Sequence, residues 1–241
     1  PHDPLEQNLV MKFSMPSREY PMGTDNLGRC IFSRILYATR TTLGFSVLCT
    51  VLAAVVGITL GVTAGYKGGA SDMVIMRICD VLYAFPALVL VMAIVGFIGV
   101  GIFNVVIAML IQQWLWYARV SRNLAAGESV KSYIAAARLC GATDRKIIFK
   151  HILPNILGTI VVTATLDIGV MMMELAGLSF LGMGAMPPTA EWGSMMSNGR
   201  SMIQSSPWVI FAPGLAIFTT VIIFNLLGDT VRDYLDISNN K

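Results

Sequence analysis

The sequence has few charged residues for its length. Asp, Glu, Lys and Arg make up 13% of its 241 residues, about half of the ~25% that is usual in soluble domains. The deficit is concentrated in blocks, because no charged residue lies between residues 40 and 67, 80 and 119, or 200 and 229. Each gap can hold the ~20 apolar residues that cross a bilayer as a helix. These gaps exclude an ordinary soluble domain and predict a polytopic membrane protein.

Several kinds of functional site are missing as well. The four cysteines show no CxxC spacing, and His2 and His151 are the only histidines, so neither a disulfide framework nor a metal site is predicted. The sequence contains no GxxxxGK[ST] loop, which would hold the phosphates of a nucleotide. The net charge of +3 does not indicate a nucleic-acid surface. We therefore expect no cofactor, no nucleic-acid partner and no enzymatic activity of the chain itself.

What the sequence does contain is five apolar segments. We predict membrane-spanning helices over about residues 41–65, 81–98, 103–117, 154–180 and 208–227. Gly96, Gly99 and Gly101 mark a tight hairpin between the second and third helices. Pro154 falls in the first turn of the fourth helix, where proline is tolerated, and Pro86 predicts a kink in the second. The expected fold class is therefore all-α.

The distribution of basic residues predicts the orientation of these helices. Residues 118–153 contain seven lysines and arginines, whereas residues 179–207 contain only Arg200. Because cytoplasmic loops are enriched in basic residues, the first loop is expected in the cytoplasm and the second outside. Five spans then place the C-terminus in the cytoplasm and residues 1–40 outside. Residues 1–40 hold five basic residues of their own, and the denser cluster at 118–153 decides the orientation.

An N-terminal segment outside the cell without a signal peptide requires one more span upstream. We therefore expect a sixth helix before Pro1. The predicted organisation is an extracytoplasmic segment over residues 1–40, which follows that helix, and a transmembrane domain over residues 41–241.

The cytoplasmic segment Tyr133–Asn155 has the pattern of a short helix, a break and a second helix. The run Ala135–Ala137 favours a helix and has almost no side-chain bulk. Gly141 is a natural helix stop, because glycine accepts a left-handed backbone, and Thr143 or Asp144 can cap the next helix. A small-residue face of this kind lets another protein approach closely. The alternative is a basic connecting loop that only fixes the topology.

This segment resembles the EAA loop of ABC importer permeases, whose pattern is E-A-A-x-x-x-G followed further on by L-P. The matching residues are Ala136, Ala137, Gly141, Leu153 and Pro154. Ala135 stands where the pattern has its glutamate, so no salt bridge is expected from that position. The resemblance implies that an ATPase subunit contacts Ala135, Ala136, Ala137, Arg138, Gly141 and Ala142.

Further motifs resemble the peptide and nickel branch of these permeases and cover nearly the whole chain. In order, they are Gly23–Arg29 with Phe32–Arg34, Ala64–Gly69, Met76–Asp80, Leu178–Gly182 with Trp192–Gly193, and Gly228–Asp236. Cys30 departs from the branch, which usually has aspartate there. The chain is most similar to the second, C-type permease.

The resemblance implies a type I ABC importer permease fold with six helices, in the cell membrane of a prokaryote. It also implies the partners. A second permease subunit completes the pathway, two ATPase subunits bind below it and hydrolyse ATP, and an extracytoplasmic binding protein delivers the cargo.

Two acidic residues interrupt the fourth apolar segment. Glu174 follows Asp167 by seven residues, so both lie on one helix face. Acids inside a membrane are costly and indicate a transport pathway or a buried pair. We predict that Asp167, Glu174 and Met171 line the pathway, with the alternative that Glu174 only bonds to a loop or a neighbouring subunit. The methionines around Met171 are more typical of packing than of metal binding.

The residues around Asp167, and those from Pro188 to Gly193, resemble nickel permeases more than peptide permeases. The expected cargo is therefore nickel or another divalent metal, carried as a chelate, with short peptides as the alternative. An ion-coupled secondary transporter that uses Asp167 and Glu174 is a second class. An intramembrane hydrolase is a third, but the sequence has neither a GxGD nor an HExxH motif.

Overall fold

The computed structural model describes residues 2–239, with side chains to residue 235. Over this part of the chain the regular structure is helical, and its one β-bridge pairs Thr24 with Cys30. The helices are α1 (Ile31–Lys67), α2 (Gly69–Tyr83), α3 (Ala87–Ile98), α4 (Ile102–Ser129), α5 (Ser132–Leu139), α6 (Asp144–Ile147), α7 (Leu153–Phe180), α8 (Trp192–Gly199) and α9 (Trp208–Asn239). A π-helical turn, Ile148–Ile152, joins α6 to α7, and short 3-10 turns lie at Leu9–Met11 and Arg200–Met202. The predicted all-α class is confirmed.

The chain divides into two compact units. The first consists of Pro1–Leu48, Val91–Ala108 and Ile168–Phe224. The second consists of Cys49–Leu90, Met109–Asp167 and Asn225–Lys241.

The first unit is centred on Trp192. Its indole is 2% exposed, packs with Ile31 and Met172, and donates to the backbone carbonyl of Ile35 at 3.1 Å. The next residue is Gly193, at the point where α8 lies against α7. A Cβ at this position would lie 2.0 Å from the Ala176 carbonyl oxygen, so a larger residue would not fit. The Trp-Gly pair singled out in the sequence is therefore a packing element.

The second unit brings α1 and α4 into backbone contact. Gly57, Gly61 and Gly65 recur every fourth residue on α1. A Cβ at Gly61 would lie 2.3 Å from the carbonyl oxygen of Ala118, and one at Gly65 would lie 2.3 Å from that of Arg122. Small residues at this spacing allow two helices to pack closely inside a membrane.

The first and third predicted segments are longer than expected. Helix α1 begins at Ile31 instead of residue 41, and α4 continues to Ser129 instead of ending at residue 117. The predictions ended where charges begin, but a helix continues through charged residues once they are paired. Arg122 of α4 donates from Nε to Asp72 Oδ1 at 2.9 Å, for example.

The second predicted span is not a single helix. Residues 69–98 form α2 and α3, which are bent by 84° at a break before Ala87. The kink predicted at Pro86 is thus present, and the helical structure begins at Gly69 instead of residue 81. The predicted span began at residue 81 because residues 69–80 carry charges. Two of these charges are paired with arginines of α4 in the structure. Asp80 binds Arg119 at 2.7 Å, and Asp72 binds Arg122.

Within residues 2–239, three helices are long and apolar enough to cross a membrane, namely Ile31–Lys67, Asp144–Phe180 and Trp208–Leu235. The bent pair α2 and α3 would bring the number to four. The third predicted span, in α4, is not among them, so the count of five spans stays a prediction.

Candidate functional site

The predicted helix, break and second helix are present in the cytoplasmic segment. Helix α5 is held by Ile134, its one buried residue, which packs in the second unit with Ile147 and Ile152. Gly141 ends the turn with φ +77°, and its N–H donates to the Arg138 carbonyl. Thr143 then caps α6, accepting the N–H of Lys146 at 3.4 Å. One hydrophobic side chain thus anchors a helix whose other sides remain open.

The open side of α5 contains most of the residues predicted to contact an ATPase. Ala135, Ala136, Arg138 and Gly141 are exposed, and Ala137 and Ala142 are half-buried. The helix also exposes Leu139, at 90%, and Cys140. We call residues 135–142 the α5 surface. Leu139 was not predicted as part of it, because a single leucine at the end of an alanine-rich helix does not show in the sequence whether it is exposed.

Arg138 is fixed by packing as well as being exposed. Its guanidinium lies over the ring of Tyr66, at the end of α1, 5.1 Å from the ring centre. The Tyr66 hydroxyl donates to Asp144 at 2.7 Å. Both sides of the break at Gly141 are therefore tied to α1.

Pro154 lies in the first turn of α7, as predicted, but α7 is not a separate helix. This residue does not begin a separate helix, because α6, the π-helical turn and α7 form one continuous helix over Asp144–Phe180. A proline inside a helix lacks an N–H and clashes with a carbonyl one turn earlier. The wider turn Ile148–Ile152 ends two residues before Pro154 and accommodates it. The segment after the α5 surface is thus continuous with a membrane helix.

A buried carboxylate connects α5 to that helix, and sequence reasoning missed it. Glu128, at the end of α4, is 8% exposed. Lys131 Nζ lies 2.7 Å from its Oε2, Asn155 Nδ2 donates to its Oε1 at 3.1 Å, and the Tyr133 hydroxyl also donates to Oε1. Asn155 donates to Tyr133 as well, at 2.8 Å. Glu128 therefore joins the first turn of α5 to the first turn of α7.

Two opposing effects act on the ionisation of Glu128. Burial disfavours the charged form, but the hydrogen bonds from Lys131, Tyr133 and Asn155 outweigh it and hold the pKa of Glu128 below its ordinary value. The carboxylate is thus charged at neutral pH and binds all three partners.

The residues predicted to line the pathway all lie on α7 but differ in how far they are buried. Asp167 is half-buried, and its Oδ2 accepts a hydrogen bond from Tyr117 of α4 at 2.7 Å. Glu174 is half-buried, and Met171 is 1% exposed. Met171 is therefore a packing residue within this chain, whereas Met173 is 49% exposed. Residues 2–239 contain no group of three His, Cys, Asp or Glu side chains that could hold a metal ion.

Comparison with known proteins identifies the family. The family described as the inner membrane component of binding-protein-dependent transport systems matches residues 57–238. The chain belongs to this family. It is therefore a multi-pass membrane protein and a permease subunit of an ABC importer.

Two relatives show the branch. The chain is 42% identical over 236 residues to the nickel transport system permease protein NikC of Escherichia coli (strain K12), covering 98% of this chain and 85% of that protein. It is 46% identical over 221 residues to the glutathione transport system permease protein GsiD of Pectobacterium atrosepticum, covering 92% of this chain and 73% of that protein. The resemblance to the peptide and nickel branch is confirmed.

Solved structures agree on the fold. An inward-facing MetNI methionine ABC transporter matches with a TM-score of 0.67 at 16% identity, over 85% of this chain and 97% of the other. An amino acid ABC transporter matches with a TM-score of 0.64 at 18% identity, over 84% and 94% of the two chains. The type I ABC importer permease fold is confirmed. Permeases of this family work with a second permease, ATPase subunits and a binding protein, which argues against an ion-coupled carrier or a hydrolase.

Proposed function

We propose that this chain forms half of the translocation pathway in an importer with one other permease subunit. Two ATPase subunits bind from the cytoplasm, and an extracytoplasmic binding protein delivers the cargo. In this arrangement residues 118–153 and the C-terminus lie in the cytoplasm, and residues 1–40 lie outside. The difference in basic residues between the loops at 118–153 and 179–207 supports this orientation.

The observation that carries the proposal is the α5 surface. It is largely exposed, and after the break at Gly141 it is followed by Asp144–Phe180, a helix long and apolar enough to cross a membrane. A groove on an ATPase subunit can close around alanines, while Leu139 adds exposed apolar area that contact would bury at the helix end. Movement of the bound ATPase then reaches α7 through the packing of Ile134 with Ile147 and Ile152 of the continuous helix, and through the bonds of Glu128 to Tyr133 and Asn155.

A bulky side chain on the α5 surface tests the docking. Ala136 is exposed on the helix, so Ala136→Trp adds volume without strain inside the chain. We expect uptake to fall at least about tenfold, the effect of losing a contact worth ~1.4 kcal/mol, with the importer still inserted in the membrane. Uptake by reconstituted importers is the measurement, and Ala136→Ser, which keeps the surface small, is the control. Native uptake by Ala136→Trp would refute the docking assignment. Gly141→Trp is a poorer probe, because φ +77° strains any L-residue there.

For the cargo, we propose nickel or another divalent metal ion carried as a chelate. The relative with the greater shared length is a nickel permease, and Asp167 places a carboxylate in a membrane helix. A negative side chain lowers the cost of moving a cation through a low-dielectric pathway. Short-peptide import is the alternative, supported by the glutathione permease that is 46% identical.

Asp167→Asn separates these two cargoes. The asparagine carbonyl can still accept the hydrogen bond of Tyr117, so the packing is kept and only the charge is lost. We expect uptake of a nickel chelate at limiting concentration to fall about tenfold or more, a loss of ~1.4 kcal/mol of stabilisation, while peptide uptake is unchanged. Tyr117→Phe, which keeps the acid and removes its hydrogen bond, serves as the matched control. Undiminished nickel uptake at limiting concentration would show that Asp167 has a structural role.

A further inference from the structure

The first unit contains a buried cluster of three charged side chains near its N-terminal end. Arg29 is 4% exposed, Arg34 is 2% exposed and Asp25 is 6% exposed. Arg29 precedes α1 and Arg34 lies in its first turn. Charged side chains this deeply buried are rare unless they are paired.

The carboxylate of Asp25 accepts most of its hydrogen bonds from Arg29 and the local backbone. Its Oδ1 accepts the backbone N–H groups of Leu27 at 2.9 Å and Arg29 at 3.0 Å, and its Oδ2 accepts Arg29 Nε at 2.7 Å. Arg34 Nε is farther away, 3.5 Å from Oδ2, and makes no hydrogen bond. A terminal nitrogen of Arg34 donates instead to the carbonyl of Pro4 at 3.1 Å. Arg34 is therefore held mainly by a neutral oxygen.

The cluster consequently carries an excess of one positive charge. An incompletely paired buried charge costs several kcal/mol in a low-dielectric environment. The buried acid Glu191 belongs to the same unit but is engaged elsewhere, because it caps α8 by accepting the N–H groups of Gly193 and Ser194 at 2.9 and 2.8 Å.

A cavity of about 140 Å³ adjoins the two arginines. Its other polar lining comes from Ser179 near the end of α7, from Thr189 before α8, and from Ser194, Ser197 and Asn198 on α8. Guanidinium groups present planar pairs of donors that match a carboxylate, and hydroxyl and amide groups can donate to its remaining lone pairs. Excess positive charge, buried donors and an adjoining space thus occur together.

We propose that this cavity binds a carboxylate group during transport. The carboxylate comes either from the cargo, as in a peptide or an organic metal chelate, or from an acidic side chain of the docked binding protein. The binding step itself follows from the cluster alone, whereas these two sources rest on the proposed import function.

Acetate is the probe for binding. Cys30 is 2% exposed and adjacent to Arg29, so its reaction with a thiol dye on heating reports the unfolding of this segment. The assay uses the assembled importer, with cysteine-free partners and with Cys49, Cys79 and Cys140 replaced by alanine. We expect acetate to raise the midpoint temperature of this unfolding by about 2–4 °C relative to chloride at equal ionic strength. The increase should level off at high acetate concentration, as binding to a site requires.

The variants make this result specific. Arg29→Met should abolish the acetate effect, and Arg18→Gln, which removes an exposed positive charge from the same segment, should leave it intact. If Arg29→Met does not assemble, Ser197→Leu fills the cavity without touching the ion pair and should abolish the effect in the same way. Equal responses to acetate and chloride would overturn the proposal, as would stabilisation by phosphate but not acetate.

Two further measurements identify the source of the carboxylate. If the binding protein supplies it, acetate should weaken association of the binding protein with the importer severalfold, and only when Arg29 is present. If the cargo supplies it, association should be unchanged and acetate should inhibit uptake competitively. A cavity that binds acetate while neither association nor uptake responds would refute the role in transport. Because the Cys30 assay requires no transport, its failure is distinguishable from a failure of the proposed import function.

Discussion

Glu128 is the residue whose chemistry most directly links the α5 surface to a membrane helix. Its carboxylate binds Lys131 and Tyr133 on one side and Asn155 on the other. Ala135 stands where the EAA pattern has its acid, so the acid of this segment comes from the preceding helix instead. Nothing in the local pattern around residue 128 predicted this, because its partners are brought together by the fold.

The lowered pKa of Glu128 predicts a pH dependence of stability. An acid with a lower pKa in the folded state than in the unfolded state stabilises the fold above its unfolded pKa, and this stability is lost as the pH falls through the folded pKa. For Glu128 the loss begins near the ordinary value of 4.5 and continues below it. Glu128→Gln should lower the stability of the importer at pH 7 by about 1 kcal/mol.

Thermal unfolding of the native importer and the Glu128→Gln variant over a pH series checks this prediction. The two midpoints should differ at pH 7 and converge below the ordinary carboxyl pKa. Lys131→Gln removes the charged partner but keeps Tyr133 and Asn155. Its unfolding midpoint at pH 7 should therefore differ from the native midpoint by less than that of Glu128→Gln does. A constant difference between native and Glu128→Gln at all pH values would contradict the ionic role of the carboxylate.

At the scale of elements, four of the five predicted apolar segments lie inside single helices, because the lack of charge is a local property. The prediction failed where charges are neutralised by distant partners. Helix α2 forms through a charged stretch because Asp72 and Asp80 meet arginines of α4. The junction of α6 and α7 was also beyond sequence reasoning, since Pro154 normally indicates a helix start and only the π-helical turn before it allows continuation.

The glycine face of α1 gives a prediction at this scale. Gly61→Ala should push α1 away from α4, because the new Cβ would lie 2.3 Å from the Ala118 carbonyl oxygen. We expect a loss of about 1–3 kcal/mol, the usual cost of overpacking. Gly44→Ala is the matched control, since Gly44 is on the same helix with no atom within 4 Å of the added Cβ. The control should be neutral or gain about 0.5–1 kcal/mol. Equal thermal stability of Gly61→Ala and Gly44→Ala would refute the close contact between α1 and α4.

For the whole molecule, the cysteines provide a test of orientation. Cys140 is exposed at the end of α5, whereas Cys30, Cys49 and Cys79 are buried. A membrane-impermeant maleimide should therefore label this chain at one position. If residues 118–153 are cytoplasmic, the reagent should react in inverted vesicles stripped of the ATPase subunits and not with intact cells.

The same thiol reports docking, because it belongs to the α5 surface. Adding the ATPase subunits to inverted vesicles stripped of them should slow the labelling of Cys140 about tenfold or more if the thiol is buried in a contact worth ~1.4 kcal/mol. A Lys12→Cys variant in a Cys140→Ser background should show the opposite sidedness, since Lys12 is exposed in the segment expected outside. Labelling of Cys140 from the outside would invert the proposed topology. If the ATPase subunits leave the rate of Cys140 labelling unchanged, they do not contact α5 at this residue. The proposed orientation would not be affected by that result.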